Sequence, residues 1–352
     1  MMAHRIAVIP GDGIGLEVTA ATRRVLEGLG RAGAVDLEYD EFDWSCERYL
    51  REGQMMPADG LDVLRGYDAI LLGAVGFPGV PDHVSLWGLL IPIRRAFSQY
   101  VNRRPVRLFP GMVSPLRAVE PGGLDLEIVR ENNEGEYSAI GGRLYEGTDD
   151  ELAVQQATFT RRGTDRVMRY AFELARTRRR RVTSATKSNG ITITMPFWDE
   201  RFRAVGASYP DVDTDQYLID ALAAVLVLDP GRFDVLVASN LFGDILSDLA
   251  AAVAGSIGIA PSANLNPERA YPSMFEPVHG SAPDIAGKGI ANPIGAIWSA
   301  ALMLEHLGYA EPSARLLAAM ERSLASPDSR TADLGGTADT AAATGAVLDA
   351  LR

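Results

Sequence analysis

Two aspartates four residues apart are the first residues in this chain whose type and spacing could do chemistry. Asp244 and Asp248 lie in the segment FGDILSD, which continues as a helix-forming stretch to Ala254. In a helix, both carboxylates share one face about one turn apart. Two like charges this close need a divalent cation, a basic partner or open solvent beside them. Because carboxylate oxygens suit Mg²⁺ or Mn²⁺, the spacing indicates a metal site, with a solvated acidic face as the alternative.

Two glycine-rich segments could approach a nucleotide. The first, PGDGIG at 10–15, joins a predicted strand to a predicted helix, but the third glycine of a dinucleotide fingerprint would fall at Leu16. This segment is either a turn that lets backbone approach a ligand or a purely structural turn. The second, at 280–289, contains Lys288 but has neither the spacing nor the following Ser or Thr of a P-loop. The sequence therefore excludes a P-loop nucleotide hydrolase.

The composition is typical of a globular protein with room for two domains. The chain has 352 residues, of which 47% are hydrophobic. A formal net charge of −12 argues against partners such as nucleic acid or an acidic membrane surface. Cys46 is the single cysteine, which excludes an internal disulfide framework and is typical of a reducing compartment. No signal-peptide pattern or membrane-length apolar stretch is present, so we expect a cytoplasmic protein.

The elements that must position these residues follow from alternating apolar and amphipathic runs. Such alternation is the pattern of β–α–β units and predicts a largely parallel sheet covered by helices. We predict strands at 6–9, 37–42, 69–72, 126–130, 153–159, 182–184 and 235–238, and helices ending near 29, at 59–64, and beginning near 165 and 198.

Six motifs along the chain resemble those of the metal-dependent β-decarboxylating dehydrogenases, the family of isocitrate, isopropylmalate, tartrate and D-malate dehydrogenases. They are PGDGIG (10–15), VRENNEGEY (129–137), TKSNG (186–190), SNLFGDILSD (239–248), EPVHGSAPDIAGKGIANP (276–293) and DLGGTADT (333–340). Within the family, VPDHVSLWG (80–88) and IGIAPSANLNPER (257–269) are most similar to the tartrate/D-malate branch.

The resemblance implies an α/β fold like that of isopropylmalate dehydrogenase, with two α/β domains, parallel and mixed sheets, and no ordinary Rossmann fold. Residues 1–100 plus 255–352 would form the cofactor-binding domain. Residues 101–254 would form an inserted domain for substrate, metal and dimerisation. The implied assembly is a homodimer whose subunits share active sites.

The implied reaction is the NAD- and divalent-metal-dependent oxidative decarboxylation of a (2R)-malate-type acid, D-malate or tartrate. The implied ions are Mg²⁺ or Mn²⁺, with K⁺ as an additional monovalent cation. A 3-isopropylmalate or other 3-substituted malate dehydrogenase is the alternative, favoured by the apolar Leu89, Leu90 and Ile91. A catalytically silent relative would have lost a metal carboxylate, Lys187 or Tyr137, and all of these are present.

The resemblance also assigns roles to single residues. The substrate carboxylates would be held by arginine forks and the C3 substituent by a short apolar stretch: Arg94, Arg104 and Arg130, with Trp87, Leu90 and Ile91. The metal would be bound by Asp244, Asp248 and, from the neighbouring subunit, Asp220. Lys187, also donated across the dimer, would take the proton of the C2 hydroxyl. Tyr137 would protonate the enol carbon left by decarboxylation.

The segment from His279 to Asn292 matches the family's adenosine-binding loop. Contacts are expected from His279, Gly280, Ser281, Ala282, Asp284, Ile285 and Asn292. A carboxylate at Asp284 can accept both ribose hydroxyls, whereas the 2′-phosphate of NADP would bring like charge against it. We therefore predict NAD, with an Asx turn after Pro283 as the structural alternative for Asp284.

The chain departs from the branch pattern at three positions, two of which, Leu89 and Pro92, would lie beside the substrate's C3 substituent. Leu89, Pro92 and Arg103 stand where branch members tend to have serine, lysine and leucine. Pro92 would disturb the helix presenting Arg94 unless it lies in that helix's first turn, and Arg103 would add charge next to Arg104. These departures favour a pocket that accepts D-malate poorly and prefers a malate with another C3 group.

Overall fold

The computed structural model describes residues 3–116, 119 and 122–352. The strands are β1 (His4–Gly11), β2 (Leu37–Glu41), β3 (Ala69–Ala74), β4 (Val101–Arg107), β5 (Asp125–Glu131), β6 (Gly141–Leu144), β7 (Leu152–Gln155), β8 (Arg181–Thr186), β9 (Asp213–Leu218), β10 (Val235–Ala238), β11 (Pro261–Leu265) and β12 (Ser273–Pro277).

Helices lie between many of these strands in the chain, and three helices follow the last strand. They are α1 (Ile14–Arg31), α2 (Cys46–Glu52), α3 (Gly60–Leu64), α4 (Asp82–Ser85), α5 (Ile91–Ala96), α6 (Arg161–Arg176), α7 (Thr194–Gly206), α8 (Ile219–Leu228), α9 (Asn240–Val253), α10 (Ile294–Leu307), α11 (Ala310–Ala325) and α12 (Thr340–Leu351). A π-helical turn covers Leu86–Leu90.

The chain divides into two compact units. Unit 1 comprises Met1–Gln99, Arg104–Asp125 and Ala251–Arg352, and unit 2 comprises Tyr100–Arg103 and Leu126–Ala250. The sequence-based division assigned 101–254 as a whole to the inserted domain, whereas residues 104–125 group with unit 1. Two contacts within unit 1 give the physical reason. Phe109 packs against Trp298 with ring centroids 5.0 Å apart, and the Ser114 hydroxyl donates to the Val253 carbonyl at 2.7 Å.

Unit 1 contains the strand order β2-β1-β3-β12-β11. The β1–β2, β1–β3 and β3–β12 pairs are parallel and β11–β12 is antiparallel, so this part of the sheet is mixed. Strand β3 is buried along its whole length, because α1 and α10 pack on it and its Ile70 and Leu72 lie in a hydrophobic core with residues such as Trp44 and Phe97. Its continuous apolar sequence is typical of a strand covered on both faces. Helix α10 is apolar all round and almost fully buried, as expected of a core helix.

Unit 2 contains the order β5-β10-β8-β9, and all three pairings are parallel. Helices α6 and α7 pack together, and α6 covers β8 and β10 with its buried face. A separate antiparallel hairpin, β6–β7, is exposed along both strands.

The periodicity located most elements, and the structure confirms strands at β1, β2, β3, β5, β8 and β10. Helix α6 begins at Arg161, four residues before the predicted start, because the Thr160 side chain caps it by accepting from the Gly163 N–H at 3.0 Å. The strand predicted at 153–159 is shorter in the structure, where β7 spans Leu152–Gln155. Its partner β6 was missed because GGRL carries little strand signal.

Arg103 does not add free positive charge to a substrate pocket, contrary to the sequence-based expectation. Within unit 2 its guanidinium makes a two-bond ion pair with Glu127, with Nε–Oε2 at 3.0 Å and Nη2–Oε1 at 2.8 Å. The Glu127 side chain is 3% exposed and Arg178 lies 3.7 Å away. Arg178 in turn donates to Asp234 at 2.9 Å. The strand alternation of β4 turns Arg103 toward this buried network.

Glu127→Ala should lower the free energy of unfolding by about 3–5 kcal/mol, because it removes the buried carboxylate that contacts both the Arg103 and the Arg178 guanidinium. Urea titration followed by circular dichroism measures the change. The matched double variant Arg103→Leu/Glu127→Leu removes both charges and should be close to neutral. A loss below about 1 kcal/mol in the single variant would contradict the assignment.

Among the described residues, no helix is both long and apolar enough to cross a membrane.

Candidate active site

The carboxyl ends of two neighbouring parallel strands bring the first group of predicted site residues together. Arg130, in β5, is paired in register with Ala238, the last residue of β10. Helix α9 begins two residues after β10, and ligands of α/β sheets characteristically bind at this edge. Gly243 allows α9 to lie against β5, since a Cβ at this position would stand 2.6 Å from the Arg130 Cβ. In the motif SNLFGDILSD, the glycine therefore lets the helix approach Arg130, and the aspartates supply the carboxylates.

Arg130, Tyr137 and Asp244 form one hydrogen-bonded cluster in unit 2. Arg130 forms an ion pair with Asp244, and its Nε and Nη2 donate to Asn240 Oδ1 at 3.0 and 2.7 Å. The Tyr137 hydroxyl donates to Asp244 Oδ2 at 2.8 Å, and the Arg130 guanidinium lies 5.4 Å from the centre of the Tyr137 ring. The Asp244 carboxylate thus contacts both the Arg130 cation and the Tyr137 phenol, which can donate a proton.

Helix α9 presents Asp244 and Asp248 as the spacing predicted. Asp244 is 31% exposed at its side chain and Asp248 is exposed, whereas Leu246 and Ala250 are buried on the opposite face. Accessible carboxylates one turn apart supply the hard oxygen donors that Mg²⁺ and Mn²⁺ prefer. The donor set therefore fits a divalent cation held by these two residues together with further oxygen ligands.

Lys187 and Asp220 form a second pair in unit 2. Lys187 follows β8, Asp220 lies in the first turn of α8, and their Nζ–Oδ1 distance is 2.6 Å. The hydrogen bond from Lys187 lowers the pKa of Asp220 below its usual value. The chain contains two lysines among 34 lysines and arginines. Arginine cannot lose its proton near neutral pH, so lysine is the one of these two side chains that could serve as a proton acceptor.

The two pairs do not merge into one metal site within a single chain. Across 3–116, 119 and 122–352, no three His, Cys, Asp or Glu side chains are grouped closely enough to hold a metal ion. The sequence-based expectation assigns Asp220 to the neighbouring subunit, so one chain alone supplies only the Asp244 and Asp248 carboxylates.

Arg94 and Arg104, the other predicted carboxylate-binding arginines, are buried in unit 1. Arg94, on α5, donates to Glu276 Oε1 at 2.7 Å, and both side chains are 9% exposed. Glu276 Oε1 also accepts from Asn264 at 2.8 Å. Arg104, on β4, is 7% exposed. Glu276 was not among the predicted site residues, although its place at the end of β12, just before the cofactor loop, was a signal for it.

Pro92 lies in the first turn of α5, the position where the sequence allowed it without disturbing Arg94. The preceding π-helical turn accommodates it, since the Ile91 N–H donates to the Leu86 carbonyl five residues back. Trp87 in this turn is 36% exposed, with the Arg95 guanidinium 5.0 Å from its ring. Leu89 and Leu90 belong instead to the hydrophobic core of unit 1, at 0% and 9% exposure.

The turn at 10–15 supports the cofactor loop. Asp12 is 2% exposed and accepts from the N–H groups of Cys46 at 3.0 Å and Gly76 at 3.1 Å. Gly13 has φ 57°, and a Cβ there would lie 2.2 Å from the Ser281 carbonyl. That carbonyl accepts from the Ile14 N–H at 2.9 Å. Of the two readings left open by the sequence, these contacts favour a structural turn that holds the loop.

The loop itself is fixed at several points and leaves its predicted ribose ligand accessible. Thr340 donates to the carbonyls of Gly289 and Ala291, and Asn292 donates to Asp333 Oδ2 at 2.9 Å. Asp284 is exposed at the middle of the loop, free of the burial that would prevent ligand contact. Gly280, Ser281, Ala282 and Ile285 line the same segment, with Ile285 packed toward α1.

His279 carries a buried polar atom that fits a ligand contact. Its Nδ1 lies 3.0 Å from the Gly280 carbonyl, whereas its Nε2 is buried without a hydrogen-bond partner. Burial lowers the pKa of this imidazole, which keeps it neutral near pH 7. An unpartnered ring nitrogen at the start of the loop that exposes the Asp284 carboxylate suits recognition of a nucleoside.

The chain is similar to known proteins over nearly its whole length. Residues 5–351 match the family model described as isocitrate/isopropylmalate dehydrogenase. The chain is 57% identical over 362 residues to the tartrate dehydrogenase/decarboxylase of Pseudomonas putida, covering 100% of this chain and 99% of that protein. It is 55% identical over 348 residues to the D-malate dehydrogenase (decarboxylating) of Escherichia coli, covering 97% and 96%. The crystal structure of isocitrate dehydrogenase from Methylococcus capsulatus matches with a TM-score of 0.89 at 35% identity, covering 99% of each chain.

These similarities confirm the resemblance and the α/β fold class predicted from the motifs. The relatives named for tartrate and D-malate are the branch that the motifs at 80–88 and 257–269 indicated. The protein is an oxidoreductase. The chain belongs to the isocitrate/isopropylmalate dehydrogenase family.

Proposed function

We propose that the protein catalyses the NAD- and divalent-metal-dependent oxidative decarboxylation of a (2R)-malate-type acid, D-malate or tartrate. The observation that carries this proposal is the cluster of Arg130, Tyr137 and Asp244. A carboxylate-binding cation, a proton donor and a metal ligand are the groups this reaction needs in one place. The relatives named above support the same reaction type.

When bound, the metal would polarise the C2 oxygen as a Lewis acid and NAD would accept the hydride from C2. Lys187 takes the C2 hydroxyl proton as the C2–H bond breaks. The bond from C3 to its carboxylate then breaks, CO₂ leaves, and its electron pair forms an enolate. Tyr137 donates its proton to C3, so that a malate-type acid and NAD yield a 2-oxo acid, CO₂ and NADH. Asp244, Asp248 and the Asp220 of a second subunit would hold the metal.

The arginine forks of Arg94, Arg104 and Arg130 suit an acid with two carboxylates. The 3-alkylmalate alternative depended on Leu89, Leu90 and Ile91, and all three are at least 91% buried. Leu89 and Leu90 pack into the unit 1 core. Their apolar character is therefore accounted for by packing, which favours a small or hydroxylated C3 group near Trp87.

We further propose a homodimer with shared active sites. Helix α8 carries Asp220 and is otherwise apolar. Of its residues, only Leu222 and Leu226 are buried. Leu228, on the same helix, is 77% exposed. The β6–β7 hairpin and its flanks expose the apolar side chains of Ile140, Leu144, Tyr145, Leu152 and Val154. Apolar faces of this kind support burial against a second copy, which would bring Lys187 and Asp220 to the partner's α9. A reaction that draws on the cellular NAD pool also favours a cytoplasmic location.

The proposed function is tested by following NADH formation at 340 nm with Mn²⁺ present. D-malate, L-malate, the tartrates, 3-isopropylmalate and isocitrate are supplied in turn, with CO₂ release measured in parallel. D-malate or a tartrate should give the highest kcat/KM, with NADH and CO₂ formed in equal amounts. A preference for 3-isopropylmalate would select the alternative. K⁺ is varied separately, since its requirement is an independent expectation.

Asp284→Lys should shift cofactor preference from NAD toward NADP. The substitution removes a ribose acceptor and places a cation where the 2′-phosphate would lie. We expect the ratio of kcat/KM for NAD to that for NADP to fall by at least about tenfold, a change of roughly 1.4 kcal/mol. Asp284→Asn is the matched control, since it removes the charge without adding a cation and should give a smaller shift. An unchanged ratio in Asp284→Lys would reject the role of Asp284.

A further inference from the structure

We propose that Glu136 is a positioning residue that aligns the phenol of Tyr137 with Asp244 for the protonation step. The inference rests on the proposed function, because it takes Tyr137 as the proton donor. It concerns a carboxylate that the reaction itself does not use.

Both carboxylate oxygens of Glu136 accept hydrogen bonds at the start of α9. Oε1 accepts from the Ser239 hydroxyl at 2.8 Å, and Oε2 accepts from the Leu241 N–H at 3.0 Å. Leu241 lies in the first turn of α9, whose N–H groups have no partners within the helix. A carboxylate here satisfies one of these donors and is favoured by the helix dipole.

Tyr137, the residue after Glu136, forms a hydrogen bond with the same helix about one turn later. The Tyr137 hydroxyl donates to Asp244 Oδ2 at 2.8 Å. The segment is joined to α9 a third time, because Asn240 Nδ2 donates to the Glu134 carbonyl at 3.0 Å. Glu136 and Tyr137 are covalent neighbours, so the anchor at Leu241 sets where the phenol lies along α9. Fixing the phenol against α9 is therefore the consequence of the Glu136 bonds.

A second carboxylate nearby offers a matched control. Glu134 also accepts from the start of a helix, with Oε2 bonded to the Thr160 N–H at 2.7 Å and Oε1 to its hydroxyl at 2.6 Å. Thr160 caps α6, which carries none of the proposed site residues. Glu134→Gln therefore perturbs a comparable cap on a helix without a site role.

Glu136→Gln should loosen the first turn of α9 in the protein without ligands. The amide carries no negative charge for the helix N-terminus, and its nitrogen cannot accept, so the Leu241 N–H and the Ser239 hydroxyl can no longer both donate to this side chain. We expect amide hydrogen exchange of a peptide spanning 239–244 to become at least about tenfold faster, as local opening would require. Glu134→Gln should leave this peptide unchanged and accelerate exchange near 160–163 instead. Unchanged exchange at 239–244 in Glu136→Gln would overturn the proposed anchor.

The functional role is tested by separating the two chemical steps. Single-turnover NADH formation from D-malate reports hydride transfer. Exchange of the C3 protons of pyruvate in D₂O, followed by NMR with Mn²⁺ and NADH present, reports proton transfer at C3. Glu136→Gln should slow the C3 exchange by about 10²-fold, as a misplaced catalytic group does, and leave the NADH burst within about threefold. Tyr137→Phe provides the reference for complete loss of C3 exchange.

The two rates distinguish a positioning role for Glu136 from a general structural role. Equal slowing of both steps would indicate a general structural role for Glu136 and overturn the proposal, as would no slowing of either. A wild-type protein that forms no NADH from any acid tested would refute the proposed function, and the positioning role with it. Wild-type turnover with unaltered C3 exchange in Glu136→Gln would refute the positioning role alone.

Discussion

Lys187→Ala is expected to lower kcat by about 10²–10⁴-fold, the range that general base catalysis contributes. The C2 hydroxyl must lose its proton as hydride leaves, and the Lys187 amine is the proposed acceptor. NADH affinity, measured by fluorescence titration, should stay within about twofold, because the proposed cofactor contacts lie in 279–292. Comparable loss of both quantities would count against the role of Lys187.

Lys187→Arg is the informative companion variant. Arginine preserves the positive charge and can still bond Asp220, which Lys187 contacts at 2.6 Å. Its guanidinium does not deprotonate, so it should be as inactive as the alanine variant. Near-normal activity in Lys187→Arg would mean that charge alone is required.

Asp248→Asn is expected to lower kcat/KM by at least about 10³-fold, since Lewis-acid stabilisation is worth several kcal/mol and each 1.4 kcal/mol is tenfold. Asparagine keeps the shape of the side chain but supplies a neutral oxygen. Asp248 lies on the exposed face of α9 one turn from Asp244, so its loss removes a metal donor without opening the core. Mn²⁺ affinity, titrated by electron paramagnetic resonance, should fall in parallel.

Glu173→Gln is a suitable control for the metal prediction. Glu173 is a 59% exposed carboxylate on α6 that pairs with Arg176 at the surface, so its charge is removed from the same unit without touching α9. Its kcat/KM and Mn²⁺ affinity should match those of the wild type. Thorough EDTA treatment should abolish turnover of the wild type, and added Mn²⁺ or Mg²⁺ should restore it. Turnover that survives EDTA would remove the metal from the proposal.

Some local features followed directly from sequence because their physical cause is local. The four-residue spacing of Asp244 and Asp248 requires one helix face whatever surrounds it, and α9 presents both side chains there. The apolar run 235–238 coincides with β10, because a parallel strand buried on both faces has a continuous apolar sequence. The end-to-end motifs likewise identified the family, since few unrelated chains share so many at these separations.

Other features depended on partners far away in the chain. Arg103 was expected to add charge next to Arg104. It instead pairs with Glu127, which comes from the next strand and could not be foreseen from residues 99–111. The apolar 89–91 stretch suggested a pocket, but its burial depends on residues such as Trp44 and Met55 that fill the same core. The π-helical turn that accommodates Pro92 has no sequence signal independent of its packing.

The sequence by itself supplied the groups that the proposed reaction needs: three aspartates for a divalent ion, one of two lysines as the proposed base, a tyrosine as the proposed acid and arginines for carboxylates. Residue type and short-range spacing indicated the Asp244 and Asp248 pair, because both act through one helix face, and the resemblance of the motifs assigned the other roles. Only the tertiary structure decided which of these groups meet within one chain. It joined Tyr137 to Asp244 and Lys187 to Asp220, and it identified Glu136 as the carboxylate that holds α9. Contacts between residues 33 to 107 positions apart depend on how strands are ordered and packed, which no local pattern specifies.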